Sequence, residues 1–183
     1  MVDKNLFQIG LFIIAALSIV SVIYFKKTNS ENIKTREKIT RNVFLGTILI
    51  CIDLIWCIPI SKPIAPEFIL PYLFPIAFFL TYLGFQFLDY HFARAIGGFI
   101  ILSASFFLSN VWAFDMPEDS ILAMSFSLLT YIFGIIGLFL AGKPYLLRDW
   151  FRKCSTSAKI KTASTTFFVI YATVSIILAI TLN

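Results

Sequence analysis

The chain has 183 residues, of which 59% are hydrophobic and 14% charged, and its formal net charge is +5. Soluble domains carry about 25% charged residues, and roughly a third of the unfolded surface of a domain this small stays exposed after folding. The composition therefore argues against a soluble globular protein and predicts that apolar surface faces lipid. The positive charge does not indicate nucleic-acid binding, because most of it lies in two short segments between apolar runs, 26–41 and 143–161.

Six apolar runs are long enough to cross a bilayer, since a spanning helix needs about 20 residues. We expect spans at about 6–25, 42–60, 68–87, 95–114, 120–142 and 163–182. The first run is expected to be a retained span, because it is too long for a signal-peptide core and the segment before it, with Asp3 and Lys4, has no net positive charge. The predicted fold is all-α: a polytopic transmembrane helical bundle that forms one domain over 1–183.

The connections between these runs differ in character. Residues 26–41 and 143–161 are basic, 88–94 are predicted to form a compact polar turn, and 115–119 a tight acidic turn. Five prolines surround the link at 61–67, which predicts an irregular hairpin end and a kink in the third helix near Pro75.

The second basic segment contains the pattern of a short amphipathic helix. Leu147, Trp150 and Phe151 follow the i, i+3, i+4 spacing of one helix face, and Pro144 suits a first helical position. We therefore expect an interfacial helix between spans five and six that lies among the lipid headgroups. Its expected lipid-interface residues are Tyr145, Trp150, Arg152 and Lys153, with the cations on lipid phosphates.

The distribution of cations also predicts an orientation. Cytoplasmic loops are enriched in Lys and Arg. With six spans, the connections at 26–41, 88–94 and 143–161 share one side and hold 13 of the 15 Lys and Arg residues, which leaves Lys4 and Lys62 on the other side. We therefore expect a bacterial cytoplasmic (inner) membrane protein with both termini outside.

Asp53 is the ionisable residue that lies well inside a predicted span. A charged side chain at the bilayer centre costs about 3 kcal/mol on insertion scales, so Asp53 should face the bundle interior. One interpretation is a site for proton coupling or cation binding, or a charge pair with a partner subunit. The other is a neutral carboxyl group hydrogen-bonded to a nearby Ser, Thr or Tyr.

A second set of polar residues is predicted at the cytoplasmic face. Asp89, His91 and Arg94 lie in the turn between spans three and four. Asp89 and Arg94 are able to pair, and His91 is able to titrate near neutral pH. If this turn meets the interfacial helix, Arg148 joins them in one polar patch. The alternative is an ordinary turn stabilised by a salt bridge.

The remaining patterns indicate packing rather than chemistry. Cys51, Cys57 and Cys154 form no CxxC pair and no cluster with the single His, so we expect neither a disulfide framework nor a metal site. The patterns Ala93-x-x-x-Gly97 and Gly137-x-x-x-Ala141 permit close helix approach, and we favour internal packing over an oligomer interface. No phosphate-binding loop, zinc-protease or nucleophile-elbow motif is found in the sequence.

Three functions remain open at this point. The leading hypothesis is a non-enzymatic accessory or scaffold component that acts through helix and lipid contacts. Its expected partners are anionic headgroups at the basic loops and a membrane protein or a second copy of the chain. The first alternative is a small transporter or channel that uses Asp53 as a proton or cation site. The second is an enzyme that acts on a lipid headgroup at the cytoplasmic face. We expect no cofactor and no nucleic-acid partner.

Overall fold

The computed structural model describes residues 3–114 and 120–182. Over these residues the chain is all-helical, with eight α-helices, one short 3-10 turn and no strand. The helices are α1 Lys4–Lys26, α2 Ile33–Thr40, α3 Val43–Ser61, α4 Leu73–Phe87, α5 His91–Asn110, α6 Ile121–Gly142, α7 Tyr145–Thr156 and α8 Ala158–Thr181, and the 3-10 turn is Leu70–Tyr72. The predicted acidic turn at 115–119 lies outside the described residues.

Six helices in the described part of the chain are long and apolar enough to cross a membrane: α1, α3, α4 with the preceding 3-10 turn, α5, α6 and α8. This confirms the predicted all-α class and the number of apolar helices. The two remaining helices, α2 and α7, are short and lie in the two basic segments. The helix in the second of these segments was predicted from its amphipathic pattern, whereas α2 was not.

The start of α5 differs from the predicted one, and the difference changes where two predicted site residues lie. The helix begins at His91, four residues before the predicted start at 95, and ends at Asn110. Tyr90, the residue just before it, has φ 55°, a left-handed conformation that cannot continue a right-handed helix. His91 and Arg94 therefore lie in the first turn of a helix instead of in an irregular turn.

The proline-rich link also differs from the prediction. Pro71 lies in the 3-10 turn and Pro75 in the first turn of α4, where backbone N–H groups have no intrahelical acceptor and proline is tolerated. The irregularity predicted near Pro75 therefore lies in front of it, as a change from 3-10 to α geometry. Pro59 lies inside the last turn of α3.

The chain divides into two compact units, and the first comprises Met1–Ile33, Ala104–Gly134 and Asp149–Asn183 as far as these are described. In it α1 packs along α8. Aromatic rings fill its interior: the rings of Phe126 and Tyr171 stack with centroids 5.8 Å apart.

The second unit comprises Lys34–Ser103 and Ile135–Arg148, and its helices approach closely at glycines. A Cβ atom on Gly97 would lie 2.5 Å from the backbone N of Ala141, and one on Gly137 would lie 3.0 Å from the carbonyl O of Gly97. The two small-xxx-small patterns thus pack against each other, in agreement with the prediction of internal packing. A single domain over 1–183 stays a prediction.

Candidate functional site

Asp53 lies near the middle of α3. It follows the first residue of the helix by ten positions, which places it about 15 Å along the helix axis. Only 8% of the residue is exposed. The structure therefore puts the predicted intramembrane carboxyl group on the buried face of an apolar helix, as the cost of leaving it in hydrocarbon requires.

The carboxyl group of Asp53 lacks the hydrogen-bond partner that a buried polar group normally has. Its Oδ1 atom is buried and bonds to none of the described residues. Its Oδ2 atom lies 2.9 Å from the position that a Cβ atom on Gly98 would occupy. The alternative in which a Ser, Thr or Tyr satisfies this carboxyl group is therefore not found in the described part of the chain.

The space for this carboxyl group comes from the way α3 runs beside α5. Gly46 of α3 lies against the backbone of His91 and Phe92, and Asp53 lies against Gly98. Each contact is seven residues after the other on both helices, so α3 and α5 run in the same direction through two helical turns. Because Gly98 has no side chain, the carboxyl group occupies the volume where one would project.

A second group of polar side chains converges on Tyr90, in the turn between α4 and α5. Arg41 Nη2 donates a hydrogen bond to Tyr90 Oη at 2.6 Å, and Arg148 Nη1 donates to the same oxygen at 3.1 Å. The Arg41 guanidinium carbon also lies 4.6 Å from the centroid of the Tyr90 ring, within the range of a cation–π interaction. Tyr90 is thus held by two arginines that are distant in sequence.

The other predicted members of the polar patch have different partners. Arg94 donates to backbone carbonyls, from Nε to the O of Asp89 at 3.1 Å and from Nη1 to the O of Ala141 at 3.0 Å. The second bond places a cation at the C-terminal end of α6, where the helix dipole favours it. Arg94 therefore contacts Asp89 at its backbone carbonyl, and the side chain of Asp89 is exposed.

His91 is buried, with 6% of the residue exposed. Its Nε2 atom lies 3.2 Å from the carbonyl O of Phe85. Within the described residues it bonds to no Ser, Cys or Tyr side chain, so the structure does not bring together a nucleophile and a base there.

The structure joins Arg148 to the turn through Tyr90, and leaves His91 and Arg94 on separate partners. The predicted patch is therefore two separate arrangements. In one, two arginines contact Tyr90, and in the other, His91 and Arg94 each contact backbone carbonyls.

The expected lipid-interface residues all lie on α7. Tyr145, Arg152 and Lys153 are exposed. Trp150 is half-buried, and its Nε1 donates a hydrogen bond to Ser164 Oγ at 2.9 Å. The indole N–H thus has a protein acceptor, and the anchoring of Trp150 in headgroups stays a prediction.

Cys154, further along α7, is buried with 1% of the residue exposed. Burial raises the pKa of the Cys154 thiol, although a hydrogen bond with Ser164 and the charge of Lys161 act in the opposite direction. A thiol in this setting is less nucleophilic at neutral pH than an exposed one.

Three residues of these sites were not predicted: Arg41, Tyr90 as a hydrogen-bond centre, and Gly98 as the neighbour of Asp53. Arg41 and Tyr90 are separated by 49 positions, and Tyr90 and Arg148 by 58, so no local pattern links them. Among the described residues, no three His, Cys, Asp or Glu side chains are placed to hold a metal ion.

Comparison of the chain with protein families, with characterised proteins and with solved structures finds no match. The residues of this chain alone therefore indicate its function.

Proposed function

We propose that the chain is an integral membrane protein that crosses a bacterial cytoplasmic membrane six times with both termini outside. Six apolar helices of sufficient length support the span count. Four of them, α3 to α6, separate the two basic segments, and an even number of crossings returns the chain to the same side. Both cationic connections then lie in the cytoplasm, where such loops are enriched.

We further propose that the protein binds and releases a proton or a small cation at Asp53, as the ion site of a small transporter or channel. The observation that carries this proposal is the buried Oδ1 atom of Asp53, which has no hydrogen-bond partner among the described residues. Burying a carboxyl group without a hydrogen-bond partner costs free energy. If Asp53 served only to pack the helices, nothing would offset this cost. A ligand that binds the carboxyl group supplies the missing interaction.

An accessory or scaffold role, the leading expectation from the sequence, does not require a carboxyl group at position 53. An apolar residue at this position would insert into lipid at lower cost and would pack against Gly98 without an unsatisfied oxygen. The enzyme alternative is less well supported, because the bonds of His91 and Arg94 go to backbone carbonyls.

The direct test is ion flux through the purified full-length protein in liposomes. Asp53→Asn removes the charge and the site for a proton while keeping the size of the side chain. We expect loss of proton, sodium or potassium flux driven by an imposed gradient. Glu67→Gln is the matched control, since it removes an exposed carboxylate from the link between α3 and α4. Equal flux from wild type and Asp53→Asn would overturn the proposal, as would equal and complete absence of flux for all three ions.

A second variant tests the geometry without touching the carboxyl group. Gly98→Ala places a methyl group 2.9 Å from Asp53 Oδ2, so the carboxyl group must move. We expect flux to fall substantially. Gly142→Ala is the control, because a Cβ atom there has nothing within 4 Å, and its flux should equal that of wild type.

The orientation is tested by single cysteines in a background without the three native ones. Ser30→Cys and Thr156→Cys place thiols at exposed positions in the two basic segments. A membrane-impermeant maleimide added outside intact cells should label neither, and should label both after the cells are opened. Labelling of just one of them in intact cells would place the two segments in opposite compartments and contradict the six-span topology.

A further inference from the structure

Arg41 and Arg148, which both contact Tyr90, form a second candidate site that does not involve Asp53. Arg41 Nη2 and Arg148 Nη1 lie 2.6 and 3.1 Å from the same hydroxyl oxygen. The two nitrogens are therefore at most about 5.7 Å apart, the sum of these distances, and the like charges of the two guanidinium groups repel each other at this separation. The oxygen that both groups contact belongs to a neutral phenol.

Arg41 contacts no acidic side chain among the residues that the structure describes. Its interactions in the described part of the chain are the bond to Tyr90 Oη and the contact with the Tyr90 ring. Asp89, the acidic residue next to Tyr90 in sequence, is exposed, and its backbone carbonyl is already bonded to Arg94. The exposed Arg41 guanidinium group thus keeps donors free for a ligand, since it has five N–H groups in a planar fork.

The backbone at this place is held in an uncommon conformation. Tyr90 has φ 55°, which costs free energy for a residue with a side chain. Such conformations persist where the surroundings over-determine them, and they occur often at binding sites. Here the left-handed residue ends the turn and directs its hydroxyl to both arginines.

The position of the three residues in the chain specifies the surroundings of the ligand. Arg41 lies two residues before α3, Tyr90 one residue before α5, and Arg148 in the first turn of α7. All three are thus at helix ends on the side of the basic segments, at the depth of lipid headgroups in the proposed topology. Basic pockets at helix ends on the cytoplasmic side are suited to anionic lipid headgroups.

We propose that Arg41, Arg148 and Tyr90 form a binding site for the phosphate group of an anionic phospholipid in the cytoplasmic leaflet. The two guanidinium groups bind the phosphate oxygens with charge-assisted hydrogen bonds, for which the arginine fork is geometrically suited. Tyr90 keeps the two groups together in the absence of the lipid. The proposal rests on the membrane topology proposed above and does not use Asp53.

The test is lipid binding by the purified full-length protein in an uncharged detergent. Phosphatidylglycerol, phosphatidylcholine and inorganic phosphate are titrated separately, and bound lipid is counted by native mass spectrometry. We expect phosphatidylglycerol to bind at least about tenfold more tightly than phosphatidylcholine, because the choline cation offsets the phosphate charge of phosphatidylcholine, whereas the headgroup of phosphatidylglycerol is a net anion beside two cations. Arg41→Gln and Arg148→Gln should each abolish this preference. Lys62→Gln, which removes an exposed cation from the link between α3 and α4, should keep it.

Two conservative variants protect the test against misfolding. Arg41→Lys and Arg148→Lys keep the charge and lose the fork, so we expect a reduced but measurable preference for phosphatidylglycerol. Unchanged preference in both glutamine variants would overturn the site. Displacement of phosphatidylglycerol by inorganic phosphate at an equal concentration would overturn the lipid as its natural ligand. Failure of the ion-flux test leaves these results unaffected, because lipid binding in detergent requires neither a gradient nor Asp53.

Discussion

The two compact units of the chain are stabilised in different ways. In the first, aromatic side chains fill the interior, and Phe7, Phe126 and Tyr171 are almost fully buried. In the second, the helices approach so closely at Gly46 and Gly97 that an added Cβ atom would lie 2.5 Å from a neighbouring backbone nitrogen.

The units also differ in the kind of polar residue that they bury. In the first, Ser18 donates to the carbonyl O of Ile14, and Thr130 and Tyr171 share a hydrogen bond of 3.1 Å. In the second, the buried polar residues include the ionisable Asp53 and His91, and Asp53 Oδ1 has no hydrogen-bond partner among the described residues. Because ionisable residues inside an apolar helical bundle are candidates for function, the second unit holds the stronger candidate site.

The largest effect should follow from removing an aromatic core residue of the first unit. Phe126→Ala deletes a ring that is 0% exposed and leaves a cavity beside Tyr171. We expect the free energy of unfolding to fall by about 3 kcal/mol, the lower end of the range for a buried Phe, because in the proposed topology the ring is also away from water in the unfolded state. Unfolding in mixtures of mild detergent and dodecyl sulfate measures it. Phe139→Ala, on the same helix but 58% exposed, should cost much less. Equal losses would show that packing density does not stabilise this unit.

Glycine contacts should matter in the second unit. Gly46→Ala places a methyl group 2.5 Å from the backbone N of Phe92, and a backbone cannot move aside as a side chain can. We expect a loss of about 1–3 kcal/mol from overpacking, measured by the same unfolding method. Gly142→Ala should be neutral or slightly stabilising, because alanine favours helix and this position is open. A neutral Gly46→Ala would refute the close approach of α3 and α5.

A smaller effect is expected at the hydrogen bond between Thr130 and Tyr171. Tyr171→Phe keeps the ring and removes the hydroxyl, which should cost about 0.6 kcal/mol, the average for hydrogen bonds between membrane helices. The double-mutant cycle with Thr130→Val isolates the pair. A coupling energy of zero would mean that the two hydroxyls do not stabilise the first unit together.

The smallest effect concerns the reactivity of Cys154 and its dependence on pH. Because burial raises the pKa of this thiol, alkylation by N-ethylmaleimide at neutral pH should be at least about fivefold slower than that of Thr156→Cys, an exposed position on α7. Cys51→Ser and Cys57→Ser remove the other thiols from the measurement.

The same shift has a defined sign in stability. The thiol loses its proton more readily in the unfolded chain, where its pKa is lower. Its contribution to the free energy of folding is therefore fully present at a pH below the ordinary pKa of a thiol, and it decreases as the pH rises above that value. In Ser164→Ala the hydrogen bond that lowers the pKa is lost, so alkylation should slow further. Faster alkylation in that variant would mean that Ser164 shields the thiol sterically.

Much of the fold was predictable because its signals are local. An apolar run of about 20 residues predicts a spanning helix whatever its neighbours are, and six helices long and apolar enough to span are found in the described part of the chain. The start of α5 was placed four residues too late, because the polar residues from His91 to Arg94 hid a helix that begins directly after Tyr90. The short helix α2 was missed, since a basic segment without apolar periodicity gives no helical signal.

The candidate sites were predictable only as single residues. Asp53 and Arg148 stand out in the sequence, because one interrupts an apolar run and the other lies in an amphipathic segment. The partners of these residues do not stand out. Gly98 is an ordinary helical glycine until α3 lies beside α5, and Arg41 is one of many cations in its segment until its guanidinium group contacts the Tyr90 ring.

The sequence by itself determined the all-helical class, the number of apolar helices and the segregation of cations into two connections, because each depends on the composition of one contiguous segment. The tertiary structure alone decided which backbones approach each other, that the Asp53 carboxyl group lies against Gly98 without a hydrogen bond in the described residues, and that two distant arginines share one hydroxyl. These contacts join residues far apart in the chain, and their energies depend on distances that no local pattern of residues encodes.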